Sequence, residues 1–513
     1  MIKGKNLVNG KEVDCLNPTT FQTFNAKDKT ALSNLYENAS IEIVTEACEL
    51  ADRVFDEYSN TSAAKRATFL AQIKIELEQD KELILKQYQL ESGYPNGRAE
   101  GEFSRTLAQI QSFIDLLNEG SYVNAILDVG IEGTPDLRKM SYPIGSIVVF
   151  GASNFPLAFS TAGGDTISAL AAGCPVILKG HPYHAGTSEL VARSIIQALD
   201  KCNLPQGIFA HLHGEKIEVG STLVEHPKVK GVGFTGSFKA GKALYDIAQK
   251  RKEPIPVFAE MGSVNPVLIL PERLISDLEI PTQISNSIQL GTGQFCTNPG
   301  LILICGNEPD SFVDQLVQNF GEANNMVHPK ISENYQKQIQ QIESQGVSLH
   351  RKSQADNSPV VGVISAESIL DKPELLEEVF GPFSLVVHSS STALFSQLIK
   401  TFPGQLTATV LGTKTDLENN KTLIGNLQQK VGRILFDGVP TGVAVCASMN
   451  HGGPFPASTD TRFTSVGTLS IERWLRPICF QDCPNDFLPE SLKDDNPLQI
   501  FRTLNNNITK AVV

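Results

Sequence analysis

Cys296 lies in Gly293-Gln294-Phe295-Cys296-Thr297, a thiol among small polar neighbours beyond a helix-like stretch over 284–290. A thiol is a nucleophile only as thiolate, and a free cysteine ionises near pH ~8.5 unless its surroundings shift it. Burial as an inert structural cysteine is the alternative. Glu260 closes the apolar run 255–259, where a carboxylate could serve as general base or merely as a cap. Asn154 directly follows the run 147–150, and its amide could hold an oxyanion or begin the next helix.

Lys179 ends the run 175–178, in reach of a ribose or phosphate bound there. The stretch Gly231-Val232-Gly233-Phe234-Thr235-Gly236 matches a dinucleotide fingerprint by letter, but its first two glycines fall inside the strand rather than in the turn. Gly236 and Ser237 make the turn; they suit a phosphate at a helix N-terminus, and Ser237 suits a plain N-cap equally. Glu378 enters a Gly-Pro turn, and its other reading is a solvated loop. His181 and His184 have no third ligand spaced with them and read as surface histidines, so no metal site is expected.

The elements that must position these residues follow from periodicity. Residues 62–92 read as one helix; a second follows, with Phe103, Leu107, Ile110, Ile114 and Leu117 on one face. Its other face carries Arg98, Glu102, Arg105 and Gln109, which spacing alone reads as solvated, with Arg98 and Glu102 paired at i,i+4. From 140 to 260, short apolar runs alternate with helical segments, the pattern of βαβ crossovers in a parallel sheet. Ligands of such sheets bind beyond the carboxyl ends of the strands, where Asn154, Lys179 and Glu260 fall. A second α/β region begins near 261, and 121–140 and 475–484 look like strand-rich extensions that could add edges to a partner subunit.

The bulk numbers set the outer limits. The 513 residues carry 43 basic and 56 acidic side chains, a net charge of −13, with 41% hydrophobic residues. That excludes a disordered or collagen-like chain. It also argues against nucleic-acid and anionic-membrane partners, since no basic surplus can neutralise phosphates. No run approaches the ~18 apolar residues of a membrane span, and the N-terminus lacks the apolar stretch of a secretory signal. Nine cysteines without a regular framework fit reduced thiols and a cytoplasmic setting.

Taken in order, the motifs Phe150-Gly151-Ala152-Ser153-Asn154-Phe155-Pro156, Pro175-Val176-Ile177-Leu178-Lys179, Gly233-Phe234-Thr235-Gly236-Ser237, Glu260-Met261-Gly262, Gly293-Gln294-Phe295-Cys296-Thr297 and Glu377-Glu378-Val379-Phe380-Gly381-Pro382 resemble the aldehyde dehydrogenase superfamily over nearly the whole chain. The 36-residue step from Glu260 to Cys296 is close to that family's base-to-nucleophile spacing. Segments such as Ala162-Gly163-Gly164-Asp165-Thr166 and His451-Gly452-Gly453-Pro454-Phe455-Pro456-Ala457 are similar to the branch acting on α-ketoglutaric semialdehyde, with NADP-linked fatty-aldehyde dehydrogenases next.

The resemblance implies an α/β fold: a Rossmann-like parallel-sheet cofactor domain (1–120 and 141–259), an α/β catalytic domain (260–474) and a small β oligomerisation extension (121–140 and 475–513), in a homodimer or homotetramer. It implies Cys296 as nucleophile, Glu260 as base and Asn154 as oxyanion donor. It places Lys179, Gly236, Ser237, Glu378, Phe380, Ala152 and Lys216 at the cofactor, and Arg105, Phe155 and Phe295 at a small anionic aldehyde. A non-catalytic relative should have lost one of Cys296, Glu260 or Asn154, and all are present. The cofactor is NAD or NADP, leaning to NADP. Pro182 replaces the carboxylate with which NAD-preferring members bind the ribose, while Ile217 replaces the arginine of NADP-linked ones, leaving Lys216.

Overall fold

The computed structural model describes residues 2–306, 309–440 and 442–513. Its first sheet has the spatial order Val257–Glu260, Val229–Thr235, Ser146–Phe150, Val176–Lys179, Phe209–Leu212, Asn6–Val8 and Lys11–Val13. The first five strands run parallel, and the two N-terminal strands close the edge antiparallel. The parallel strands are apolar nearly throughout because helices cover both faces. Val148, Ile177 and Leu178 are wholly buried, each worth about 1.5–3 kcal/mol of transfer free energy. Register pairs Phe150 with Lys179, Lys179 with Leu212, and Thr235 with Glu260, so the strand ends that carry chemistry share one edge.

The second sheet runs Ser348–His350, Val360–Ser365, Phe383–Ser389, Leu301–Cys305, Val267–Ile269, Gln405–Leu411 and Val431–Phe436, parallel except for its first strand. The chain then returns to the first sheet. Met261 N–H donates to the Ala457 carbonyl at 2.8 Å, and Trp474 Nε1 donates to Ser168 Oγ at 2.7 Å. A third sheet joins Leu475–Gln481, Leu137–Pro143, Ile126–Asp128, Arg502–Leu504 and Asn507–Thr509. The two strand-rich extensions therefore pair with each other. The last thirty residues are held to them in part by Arg138, which reaches the Leu492 carbonyl and the Asp494 carboxylate, each at 2.7 Å.

Two expectations are corrected here. The helix expected over 62–92 is two helices, Ala63–Gln79 and Lys81–Ser92, broken at Asp80, whose carboxylate accepts the Ser194 hydroxyl at 3.1 Å. The polar face of helix Asn96–Glu119 is not solvated: Glu102 and Gln109 are buried, because later segments of the chain pack on that face. Among the described residues, no helix is long and apolar enough to cross a membrane.

Candidate active site

The loop before Cys296 departs from helical geometry after Ile280–Gln289. Gly291, Thr292 and Gly293 all have φ near +60°, and a Cβ at Gly293 would run into the Gly381 backbone. Only glycine fits there, and the strain at Thr292 is held by tertiary contacts. Asn265, fully buried, fixes the far side of the loop by donating through Nδ2 to the carbonyls of Cys296 at 2.8 Å and Asn298 at 2.9 Å. Nothing in the spacing around Asn265 marked it for this role.

Cys296 Sγ lies 3.4 Å from His451 Nε2, and that nitrogen lies 3.0 Å from Glu260 Oε1. Sγ, Nε2 and the carboxylate oxygen are all within 4.8 Å of one another. Glu260 Oε2 accepts the Ser465 hydroxyl at 2.6 Å. Burial alone would push the Glu260 carboxyl up. The closeness of His451 and the hydrogen bonds from Ser465 and Cys296 outweigh it, so the group stays below the usual range. The thiol moves the other way. Burial, the Glu260 charge and hydrogen bond, and the Glu378 charge raise it well above the usual cysteine value. The resting site is thus a thiol and a carboxylate with an imidazole between them, able to relay a proton off sulfur. In the sequence His451 belongs only to a family signature and carries no role of its own.

Asn154 faces this loop, its Nδ2 donating to the Gln294 carbonyl at 2.9 Å, which leaves the second amide hydrogen for another acceptor. Its own carbonyl receives Arg98 Nη2 at 3.0 Å. The Arg98 guanidinium stacks 3.4 Å from the centre of the Tyr94 ring and also faces Phe295 and Phe155. The expected Arg98–Glu102 pair is absent. Glu102 is buried and takes the Tyr88 hydroxyl at 2.6 Å and the Leu157 and Ala158 N–H groups. We expect Arg98→Met to lower kcat/KM for aldehydes about 10-fold, the scale of one charged hydrogen bond, with cofactor dissociation constants unchanged. Steady-state kinetics beside a fluorescence titration with reduced cofactor would show it; an equal change in both would contradict the bracing role.

Phe155 and Phe295 meet edge to face at 5.0 Å, and Phe155 meets Phe159 at 5.3 Å, forming an aromatic wall. The Arg105 guanidinium lies 5.2 Å from the centre of the Phe159 ring, donates to Gln109 Oε1 and the Val443 carbonyl at 3.2 Å each, and is within electrostatic reach of Cys296 and Glu260. Ala162 is buried.

At the first sheet's edge, burial pushes the Lys179 ammonium down to about 8, against the pull of Glu215. Ser237 caps the helix Phe238–Lys250, its Oγ accepting Ala240 N–H at 3.4 Å, and it stays exposed beside Gly236. Ala152 is buried, and its carbonyl accepts His184 Nε2 at 2.7 Å. His184 is therefore an interior residue, and the surface reading of it is corrected. Glu378 is pushed up to about 7 by burial, against the Ser263 N–H, with Glu260's charge adding. A Cβ at Gly262 would collide with its carboxylate, so backbone and carboxylate form a close-fitting cradle. Phe380 is half-buried nearby in sequence, and Lys216 is exposed at the start of helix Ile217–Glu225.

Residues 14–442 match the family model described as the aldehyde dehydrogenase family. The chain belongs to the aldehyde dehydrogenase family. Among curated relatives, the α-ketoglutaric semialdehyde dehydrogenase of Acinetobacter baylyi is 41% identical over 523 residues, covering 99% of both chains. The α-ketoglutaric semialdehyde dehydrogenase 2 of Azospirillum brasilense is 42% identical over 474 residues, covering 90% of each. Among solved structures, betaine aldehyde dehydrogenase of Staphylococcus aureus in complex with NAD+ superposes with a TM-score of 0.80 at 18% identity, over 94% of this chain and 96% of that one. Methylmalonate-semialdehyde dehydrogenase of Oceanimonas doudoroffii gives 0.77 at 19% identity, over 94% and 98%. The sheets described above are the aldehyde dehydrogenase fold, α/β and Rossmann-like in its first sheet.

Proposed function

We propose that this aldehyde dehydrogenase oxidises α-ketoglutaric semialdehyde (2,5-dioxopentanoate) to 2-oxoglutarate through a thioester on Cys296. The meeting of Cys296, His451 and Glu260 within 4.8 Å carries the chemistry, and the two curated relatives support the substrate. The Cys296 proton leaves toward His451 Nε2 as sulfur attacks the aldehyde carbon. The second Asn154 amide hydrogen and the Cys296 N–H receive the oxyanion, a donor of this kind being worth roughly 3 kcal/mol. A bound nicotinamide dinucleotide supplies the hydride acceptor. Glu260 then takes a proton from water, whose attack on the thioester releases the acid and returns the thiol.

The residues at the sheet edge fit such a cofactor. Lys179 and Lys216 suit the adenosine ribose, Gly236 and Ser237 the pyrophosphate, Ala152 the strand-end approach, and Glu378 with Phe380 the nicotinamide side. NADP is accommodated as well as NAD: Pro182 removes a carboxylate, and the charge of nearby Glu215 is engaged by Lys330 at 3.0 Å. The open edge of Leu475–Gln481 suits pairing of subunits into a homodimer or homotetramer. Nine unpaired cysteines suit a reducing compartment such as the cytoplasm.

The aromatic wall of Phe155, Phe159 and Phe295 favours a second reading, a fatty or broad-specificity aldehyde. Steady-state kinetics with NAD and NADP against acidic and neutral aldehydes decides between them; a flat preference across long chains selects the second. In the first reading Arg105 meets the distal carboxylate. Arg105→Ala should then cost 2,5-dioxopentanoate about 2 kcal/mol in kcat/KM relative to pentanal. An unchanged ratio removes Arg105 from substrate recognition.

A further inference from the structure

Arg433 takes no part in the reaction described above. It stands in the middle of strand Val431–Phe436, paired with Thr407, as a charge in an otherwise apolar run. The side chain is half-buried, and polar atoms shielded from water are rarely left without partners. Among the described residues its Nη1 reaches only the soft acceptor Met449 Sδ, at 3.4 Å, while Nε and Nη2 are shielded from water and bond to none of them. Those two nitrogens form the side-on fork of a guanidinium, the edge that receives two coplanar oxygens at once.

The surrounding backbone ties this fork to the nucleophile. Asn450 Nδ2 donates to the Gly432 carbonyl at 2.7 Å, and a Cβ at Gly432 would run into the Gly452 carbonyl. Between Asn450 and Gly452 sits His451, 3.4 Å from Cys296 Sγ. The Arg433 guanidinium is within electrostatic reach of Cys296, as Arg105 is from the helix Asn96–Glu119. Arg105, however, already spends donors on Gln109 and Val443.

We propose that Arg433 is a specificity-determining residue beside Arg105: its free Nε–Nη2 edge receives the 2-oxo oxygen and the adjacent carboxylate oxygen, Arg105 faces the other carboxylate oxygen, and the aldehyde carbon meets Cys296. This rests on the substrate reading given above and sharpens it. A carboxylate oxygen and the adjacent oxo oxygen lie side by side in one plane and match the fork. A semialdehyde acid lacking the 2-oxo group offers the carboxylate alone.

The test compares wild type, R433Q and R433K on 2,5-dioxopentanoate, 5-oxopentanoate and pentanal, with calorimetric titration of 2-oxoglutarate as a readout independent of turnover. R433Q should lower kcat/KM for 2,5-dioxopentanoate about 30-fold, mainly through KM, and weaken 2-oxoglutarate binding to a similar degree. Pentanal should change by no more than about 2-fold, and 5-oxopentanoate should fall between. R433K keeps charge and bulk, so it reports even if R433Q folds poorly; it should recover only part of the loss, because an ammonium cannot make the fork. Equal losses on all three substrates, or none on the dioxo acid, overturn the assignment. If wild type does not prefer 2,5-dioxopentanoate to pentanal, the substrate reading fails and this subsite with it. If wild type shows the preference and R433Q keeps it, Arg433 alone is wrong.

Discussion

Cys296→Ser is expected to lower kcat for aldehyde oxidation by at least ~10³-fold, about 4 kcal/mol of transition-state stabilisation. The substitution is nearly isosteric, so the Asn265 clamp on the 296 carbonyl and the φ > 0 turn before it are retained. What changes is the proton. The thiol is already held neutral by burial and by the Glu260 and Glu378 charges, and it reacts only by passing its proton toward His451 Nε2 as the carbonyl arrives. A serine hydroxyl in the same surroundings is a far weaker acid, and neither the imidazole nor the carboxylate can draw its proton off to a useful degree. Without the tetrahedral adduct there is no hydride to transfer. Stopped-flow absorbance of reduced cofactor measures the effect. A serine variant retaining more than about a tenth of the rate would mean that sulfur is not the nucleophile.

How far the site could be read ahead of the structure depended on whether each residue sat on a regular element. Lys179 and Glu260 end strands of a recognisable parallel sheet, and register sets them on one edge. Helix Asn96–Glu119 misled for the opposite reason. Amphipathic spacing distinguishes one apolar face from one polar face, but it does not say what covers the polar one. Here Glu102 and Arg98 are held by loops that the helix meets only after folding. His451 lies 155 residues from the cysteine it touches, outside any helix or strand, and no periodicity reaches that far. Arg433 did carry a local signal, a charge inside Val431-Gly432-Arg433-Ile434-Leu435-Phe436, which the shielding of its Nε and Nη2 from water turns into a question about their partner.

Glu260→Gln separates the two halves of the reaction. The first half should survive: reduced cofactor should appear in a burst of about one equivalent per subunit, followed by a steady rate at least ~10²-fold below wild type. The amide can still accept the Ser465 hydroxyl in place of the carboxylate, so the pocket keeps its shape. Losing the negative charge has opposite consequences for the two steps. Glu260 is one of the groups that raise the Cys296 thiol, through its charge and its hydrogen bond, so removing the anion lowers the thiol's pKa and makes attack no slower. Deacylation, by contrast, loses the only carboxylate bonded to the Cys296–His451 pair among the described residues, and His451 must still shed the proton it took from sulfur. Hydroxylamine, a nucleophile that needs no base to attack a thioester, should restore turnover and leave a hydroxamate in place of the acid. A variant that loses the burst would place Glu260 in the first half-reaction. One that turns over at the wild-type rate would leave water activation to His451.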